Sequence, residues 1–183
     1  MNIESMNATQ FWKLTDVSAG LSWTEKKRSI SAGLQGLSEG ELLDYSILFH
    51  NEREKAFTPT ILCGAFLLSR GAFGHDYFLD FTDCLVATSS ETFYSILRDP
   101  ENLADHSELA ACPEMHFSQL AMDILESRGG DVSEMLYQIE QRATPHRGPI
   151  FYRGKKDLEI ITPATVSELL PKLFGALGEE AFR

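Results

Sequence analysis

The sequence predicts one mainly α-helical domain, and three observations lead to this fold class. Apolar residues recur at spacings of three and four along most of the chain, which is typical of helices that bury one face. Capping signatures precede several of these segments. The 183 residues contain no repeat and no linker-like tract, so they fit a single domain. We expect an all-α protein of seven to nine helices, with either a loop or one small β-hairpin near residues 150–161.

The first two helices follow a short polar leader at residues 1–8, which we expect to be flexible. Aromatic and aliphatic residues between positions 11 and 17 then form a compact amphipathic start. The second helix spans residues 24–34, where Ile30 and Leu34 lie one helical turn apart.

Two capping signatures define the next two helices. Ser38 and Glu41 form a capping box, in which the serine side chain accepts a hydrogen bond from the Glu41 amide and Glu41 reaches back. That helix continues to about residue 57. Thr58 caps the following helix, which has a proline in its first turn. Residues 60–69 are apolar nearly all round and therefore predict the centre of the core.

Gly71 and Gly74 end the apolar helix, and an aromatic-rich helix follows at residues 75–87. A serine cap begins another helix, which runs to about residue 97 and ends before Pro100. Both patterns therefore predict helices as well.

Two further helices follow a polar connection. Pro113 begins the first, and a pair of glycines at 129–130 closes it. Asp131 and Glu134 resemble a capping box and begin the second.

Residues 144–162 have a different composition, with prolines, glycines, an aromatic pair and a Gly-Lys-Lys-Asp turn. This pattern predicts a small β-hairpin or an ordered loop inserted in the helical domain. Ser167 then caps a closing helix over residues 168–177, with Pro171 in its first turn.

Charge restricts the partners of the protein. The chain has 16 basic and 27 acidic side chains, which give a formal net charge of −11. Such a field repels nucleic-acid phosphates and anionic lipids and attracts basic proteins. An acidic surface also keeps a protein in solution without any partner. We therefore expect no membrane association and no general nucleic-acid binding, and a basic protein is the favoured partner.

The cysteines and the N-terminus bear on the compartment. Cys63, Cys84 and Cys112 are too few and too widely spaced to predict a disulfide framework or a zinc site. The first residues lack the pattern of a signal peptide, and no stretch approaches about 18 consecutive apolar residues. These observations predict a reduced, cytoplasmic protein.

An acidic stripe lies on the aromatic-rich helix. Asp76, Asp80 and Asp83 follow one another at i, i+4 and i+7, with His75 at the start of the helix. Carboxylates at this spacing can bind a divalent cation or act as acid and base. They also occur on the solvated side of an amphipathic helix or where a basic partner binds. The solvated face is the favoured interpretation, followed by partner contact and then by catalysis.

Two other sets of residues have the types that chemistry requires. His50, Glu52 and Glu54 form a candidate metal set because His50 and Glu54 lie one helical turn apart. Cys112 and His116 form a candidate thiol nucleophile and base, with the thiol near a helix N-terminus. A solvated helix face explains the first set, and no orienting group accompanies the second. We therefore predict no metal, no cofactor and no catalytic residue.

Two basic segments contrast with the acidic background. One is Lys26-Lys27-Arg28, and the other runs from His146 to Lys156 with Phe151 and Tyr152 interleaved. Aromatic residues among cations are typical of proteins that bind single-stranded nucleic acids. Because the net charge opposes such binding, a solvated hairpin is the favoured interpretation of the second segment.

Several stretches of the chain resemble a bacterial family, the domain of unknown function 4240. They are Phe11-Trp12-Lys13-Leu14, Gly36-Leu37-Ser38-Glu39, Asp76-Tyr77-Phe78, Tyr94-Ser95-Ile96-Leu97, the segment from Asp99 to Asp105, and Leu169-Leu170-Pro171-Lys172-Leu173. The chain departs from the family pattern at Gly71-Ala72-Phe73-Gly74-His75-Asp76, where members usually have a Gly-Cys-Ser-Asp-Asp-like stretch. A tryptophan usual in the next helix is also replaced near Cys84. The resemblance implies an all-helical fold and no particular chemistry.

The favoured function is a non-enzymatic, acidic protein-binding module. Its most concrete form is a bacterial immunity protein that neutralises a cognate toxin by direct binding. The residues assigned to partner contact are Asp76, Asp80, Asp83, Glu52 and Glu54. The alternative is an enzyme or small-ligand-binding protein with an acidic and aromatic pocket around residues 71–83.

Overall fold

The computed structural model describes residues 5–16, 20–112, 114–144 and 155–183. Within these ranges the chain contains helices and no strand, which confirms the all-α fold class. The α-helices are α1 (Ala8–Asp16), α2 (Trp23–Leu34), α3 (Glu39–Lys55), α4 (Pro59–Leu68), α5 (His75–Val86), α6 (Ser90–Arg98), α7 (Leu120–Ser127), α8 (Val132–Arg142), α9 (Pro163–Leu169) and α10 (Pro171–Ala181). Short 3₁₀ helices occur at Pro100–Asp105, Ser107–Ala111, Phe117–Gln119 and Lys155–Ile160. None of the described helices is long and apolar enough to cross a membrane.

The capping signatures predict the helix starts well. The Ser38 amide donates to Glu41 Oε2 at 2.8 Å, and the Glu41 amide donates to Ser38 Oγ at 3.4 Å, so the capping box is formed. The hydrogen bonds from Ser38 lower the pKa of Glu41. Thr58 and Asp131 cap α4 and α8 by accepting from the amides of Ile61 and Glu134, without the reciprocal bond of a capping box. These starts depend only on residues within one turn, which is why the sequence identifies them.

Two predicted helix boundaries are wrong. The segment after Cys112 passes through a turn and a 3₁₀ helix, and α7 begins only at Leu120, not at Pro113. The predicted closing helix at 168–177 is two helices: Thr162, and not Ser167, caps α9, and Leu170 leaves helical geometry with φ −139° before Pro171 begins α10. A proline disfavours helical geometry in the residue before it. Leu170 is fully buried, so the break also directs an apolar side chain into the core.

Two irregular segments have local structure that the sequence did not indicate. Lys155–Ile160 is a 3₁₀ helix, within the segment for which the sequence suggested a hairpin or an ordered loop. Residues 145–154 of that segment lie outside the described residues. Ser5 and Met6, assigned to a flexible leader, are held by Asp44: Ser5 Oγ and the Met6 amide donate to its Oδ2 at 2.8 and 3.0 Å.

Asp44 also receives the far end of α8. Arg142 Nη2 donates to Asp44 Oδ1 at 2.8 Å, so one carboxylate holds the segment before α1 and the last turn of α8 against α3. Asp44 is 9 % exposed, and it uses both oxygens for these contacts.

The apolar helix α4 lies at the centre of the molecule, as predicted. Its packing partners include α5, α9, α10 and the 3₁₀ helices that follow α6. Gly64 allows one of these contacts, because a Cβ at this position would overlap the Leu103 side chain. At the end of α4, Gly71 has φ +79°, and a Cβ there would overlap the carbonyl oxygen of Ala181 in α10.

Cys84 and Cys112 form a disulfide bond, and Cys63 is a free, buried thiol. The sequence predicted no disulfide framework and a reduced protein, and the single bond between Cys84 and Cys112 contradicts the expectation that the cysteines are reduced. Packing brings the C-terminal half of α5 next to the end of the Ser107–Ala111 helix, and this contact cannot be seen in the spacing. The inference from cysteine spacing to a reducing compartment no longer holds.

We expect Gly71→Ala to destabilise the protein by more than about 1–2 kcal/mol, because the substitution forces an L side chain into left-handed geometry and into the α10 backbone. Urea unfolding measures the effect. Gly36→Ala is the matched control, since nothing lies within 4 Å of a Cβ at that position. Equal stabilities of the two variants would contradict the described contact between α4 and α10.

We expect Cys84→Ser/Cys112→Ser to lower the free energy of unfolding by about 3–4 kcal/mol, because the bond closes a loop between residues 28 apart. Urea unfolding of the wild type with and without reductant provides the comparison, and the reduced wild type should match the variant. Thiol titration of the oxidised, denatured protein should find one free thiol. Three free thiols would exclude the bond.

Candidate partner-binding site

The polar residues singled out in the sequence lie on α3 and α5, which pack against each other. A third element, the segment from Glu114 to Gln119, covers the C-terminal half of α5. The three elements bring two histidines, one arginine and several carboxylates into one region.

Asp83 is the centre of this region and is only 3 % exposed. Arg53 Nη1 on α3 lies 3.1 Å from its Oδ1. The Ser118 amide donates to its Oδ2 at 3.0 Å, and Ser118 Oγ donates to the same oxygen. A carboxylate with these partners is a structural group, so Asp83 offers no accessible surface for the partner contact that the sequence assigned to it.

Glu52 is also inside, at 5 % exposure. Lys55 Nζ lies 2.7 Å from both of its oxygens, and Tyr94 on α6 donates to its Oε2 at 2.8 Å. Glu52 therefore links α3 to α6 and is likewise not available to a partner.

His50 and Glu54 lie on the side of α3 that includes Arg53. Arg53 Nη2 is 3.3 Å from His50 Nδ1. A guanidinium group can only donate, so Nδ1 accepts and the ring proton is on Nε2, which faces Glu54 Oε1 at 3.8 Å. Glu52 points away from this pair, so the proposed metal set does not assemble. The described residues contain no group of three side chains suited to hold a metal ion.

The acidic stripe on α5 separates into three environments. Asp76 is exposed, Asp80 is half-buried, and Asp83 is inside. Asp80 Oδ1 lies 3.2 Å from His116 Nδ1. Asp76 and Asp83 share one helix face, but the segment around Ser118 covers only the C-terminal half of that face. The periodicity of the sequence identified this face of α5, but it did not indicate that the segment around Ser118 covers half of it.

His116 and Ser118 reach α5 through a strained turn. Glu114 and His116 have φ values of +81° and +49°, a region that costs an L residue about 1–2 kcal/mol. The turn places His116 beside Asp80 and the Ser118 hydroxyl on Asp83. Sequence reasoning missed Arg53 and Ser118, because neither has a local pattern that marks it as a partner of Asp83.

Aromatic rings flank the exposed part of α5. Phe73, just before α5, and Tyr77, in its first turn, are half-buried with ring centroids 5.6 Å apart. The Tyr77 hydroxyl is buried and has no hydrogen-bond partner among the described residues. Burial raises the pKa of Tyr77 to about 12. An exposed acidic helix with adjacent aromatic surface resembles the composition of protein interfaces, except that interface centres usually contain fewer charges.

The candidate thiol nucleophile does not form. The sulfur of Cys112 is bonded to Cys84, and both residues are fully buried. His116 is instead the partner of Asp80. Burial raises the pKa of the remaining thiol, Cys63, to about 11, which disfavours the reactive thiolate.

The basic segments are of two kinds. Lys26 is 7 % exposed and donates from Nζ to the Thr88 carbonyl at 3.1 Å, so it is a packed residue. Its burial lowers the pKa of its ammonium group. Lys27 and Arg28 line a groove of about 360 Å³ between α2 and α7, together with Asp123. The run from His146 to Lys156 falls on residues that the structure does not describe, apart from the backbone of the last two.

A second groove, of about 730 Å³, lies between α1 and α6. Trp12 and Tyr94 line it with Lys13 and Asp16. The amide and hydroxyl of Ser90, at the first turn of α6, donate to Asp16 at 2.7 and 2.8 Å. The chain's own carboxylate thus occupies the anion-binding position at the start of α6.

Comparison with known proteins identifies one family. Its model, described as "Protein of unknown function (DUF4240)", matches residues 6–127. The match begins before α1 and ends with α7. It therefore includes α3, α5 and the segment from Glu114 to Gln119. No curated protein and no solved structure matches the chain.

We expect Asp83→Asn to lower the free energy of unfolding by about 3–5 kcal/mol, because it leaves the Arg53 charge in a largely buried site without its partner. Asp76→Asn is the control on the same helix and should change stability by less than about 0.5 kcal/mol. Urea unfolding of both variants measures the difference. A loss below 1 kcal/mol for Asp83→Asn would mean that the pair is solvated.

Proposed function

The chain belongs to the DUF4240 family of proteins of unknown function, and we propose that it is a non-enzymatic binding module for a basic protein. The observation that carries this proposal is how the charges of the candidate site are arranged. Its buried charged groups are matched within the chain, Asp83 by Arg53 and Glu52 by Lys55. Asp76 and part of Asp80 remain at the surface.

Internally matched charges favour binding over catalysis. A general base or nucleophile has to reach a substrate, whereas Asp83 uses its oxygens on Arg53 and Ser118. The alternative of an acidic pocket at residues 71–83 relied on these carboxylates acting together. Their separation into exposed, half-buried and buried positions supports the binding module instead.

The net charge of −11 supports a basic partner. A field of this sign accelerates association with a cationic surface and slows association with an anionic one. Asp76 and Asp80 provide the part of α5 that such a partner would contact, near the half-buried Phe73 and Tyr77 in the sequence. Glu54, half-buried on α3, belongs to the same proposed contact surface.

The most concrete form of the proposal is a bacterial immunity protein. Such a protein binds a cognate toxin directly and masks it. A basic toxin, such as a nuclease, has the charge that complements this chain. Masking requires a stable complex with one partner and no chemistry, which agrees with the internally matched charges of the site.

We expect the tagged protein to recover one stoichiometric basic partner from its native lysate at low salt and less of it at high salt, because screening weakens attraction between exposed charges. Mass spectrometry identifies the partner, and purified components then give the dissociation constant. Recovery of the protein alone at low salt would overturn the proposal.

We expect Asp76→Lys/Asp80→Lys to slow association with that partner by about tenfold or more, because the two reversals remove attraction and add repulsion. Glu159→Lys/Glu168→Lys is the matched control: it changes the net charge equally through exposed residues elsewhere. Stopped-flow measurements at several salt concentrations compare the two. If both variants slow association equally, the overall charge of the protein causes the effect and the α5 surface does not.

A further inference from the structure

Helix α8 has the most exposed large apolar side chains of the described structure. Leu136 is 46 % exposed and Tyr137 is 55 % exposed, and they are neighbours on the outward side of the helix. The opposite side is packed, since Met135 is buried and Ile139 lies against the core. The outward side is therefore not needed to hold α8 on α3 and α7.

Two basic side chains near α8 that the structure describes, Arg142 and Arg128, are directed at the protein itself. Arg142 is paired with Asp44, at 2.8 Å. Arg128, just after α7, donates from Nη1 and Nη2 to the carbonyls of Leu37 and Gln35, each at 2.6 Å. Both guanidinium groups thus act as internal links between the α7–α8 region and the rest of the fold.

The acidic side chains on α8 and at its N-cap are directed toward solvent. Asp131, Glu134 and Glu140 are all exposed. Glu134 accepts a hydrogen bond from Gln138 on the same helix, at 2.6 Å, and this neutral partner leaves its charge in place. Within the described part of the chain, the two exposed apolar side chains consequently lie among negative charges, while Arg128 and Arg142 are engaged elsewhere.

We propose that the outward face of α8, formed by Leu136, Tyr137, Glu134 and Glu140, is a second docking surface for the basic partner. This inference rests on the proposed function and adds a contact surface separate from α5. Tyrosine next to an aliphatic side chain, surrounded by charges of one sign, is the arrangement of an interface anchor with a polar rim. The rim selects a cationic partner, and a second copy of this chain, also at −11, would be repelled.

The α8 surface lies outside the family-matched part of the chain. The family match covers residues 6–127, and α8 begins at Val132. The α5 surface lies within the matched residues, so variants on the two helices test the two proposed surfaces separately.

The test uses the partner recovered at low salt, purified and titrated against full-length variants. We expect Leu136→Ser/Tyr137→Ser to weaken binding by at least about tenfold, as the loss of an anchor does. The matched control is Leu21→Ser/Leu169→Ser, which removes two other exposed large apolar side chains, 40 % and 36 % exposed. This control should bind as the wild type does. Unchanged urea midpoints establish that both variants are folded.

Glu134→Lys/Glu140→Lys is a second variant that keeps Leu136 and Tyr137, and it should weaken binding most at low salt. If Leu136→Ser/Tyr137→Ser and Glu134→Lys/Glu140→Lys bind as the wild type does while Asp76→Lys/Asp80→Lys fails, the α8 surface is excluded and the binding module stands. If the wild type captures no partner, both proposals fail. Equal weakening by the Leu21 and Leu169 control would also overturn the α8 assignment. The α8 assignment would also be overturned if the wild type sedimented as a dimer and the Leu136→Ser/Tyr137→Ser variant sedimented as a monomer.

Discussion

The buried carboxylate of Asp83 is the interaction on which the arrangement of this protein depends. It holds Arg53 of α3 and the amide and hydroxyl of Ser118, and it lies on α5 itself. Three elements that are far apart in sequence are therefore fixed by one desolvated charge. Removing a charge from water is costly unless all its hydrogen-bond positions are used, and Asp83 is stable inside because these partners are present. The disulfide between Cys84 and Cys112 lies one residue from this carboxylate on α5 and strengthens the same junction.

This junction also determines which charges reach the surface. Because Asp83 and Glu52 are matched inside, the outward field comes from other carboxylates, among them Asp76 on α5 and Glu134 and Glu140 on α8. The nearby arginines behave in the opposite way: Arg53 and Arg142 bind carboxylates of the chain, and Arg128 binds backbone carbonyls. This distribution of charge supports the proposed binding of a basic protein.

The sequence contained enough information for the fold class and for the helix starts that depend on local chemistry. Ser38, Thr58 and Asp131 each accept from an amide three residues later, and the apolar pattern of α4 places it in the core. Features that depend on the tertiary structure could not be predicted. The pairing of Cys84 with Cys112 depends on the path that the chain takes between these residues. The same path places the segment around Ser118 over Asp83 and leaves Asp76 exposed.

The same limit applies to the candidate site. Periodicity correctly placed Asp76, Asp80 and Asp83 on one helix, but it gave them one role where packing gives them three. No pattern in the sequence connects Arg53 or Ser118 to α5, since these partners are 30 and 35 residues away from Asp83. The sequence predicted α8 from its capping residues, Asp131 and Glu134, and did not distinguish between its apolar side chains. Only packing separates the buried Met135 from the exposed Leu136 and Tyr137.

The carboxylate of Asp44 has a consequence for communication across the molecule. One of its oxygens holds Arg142 at the end of α8, and the other holds Ser5 and Met6 ahead of α1. A partner that shifts α8 therefore changes the electrostatic environment of the anchor for the segment before α1. The contacts of the two regions with Asp44 are coupled through one interaction free energy. Thermodynamic linkage makes this coupling reciprocal. Amide protection at Met6 thus becomes a remote reporter of events at α8, on a face that the amide itself does not touch.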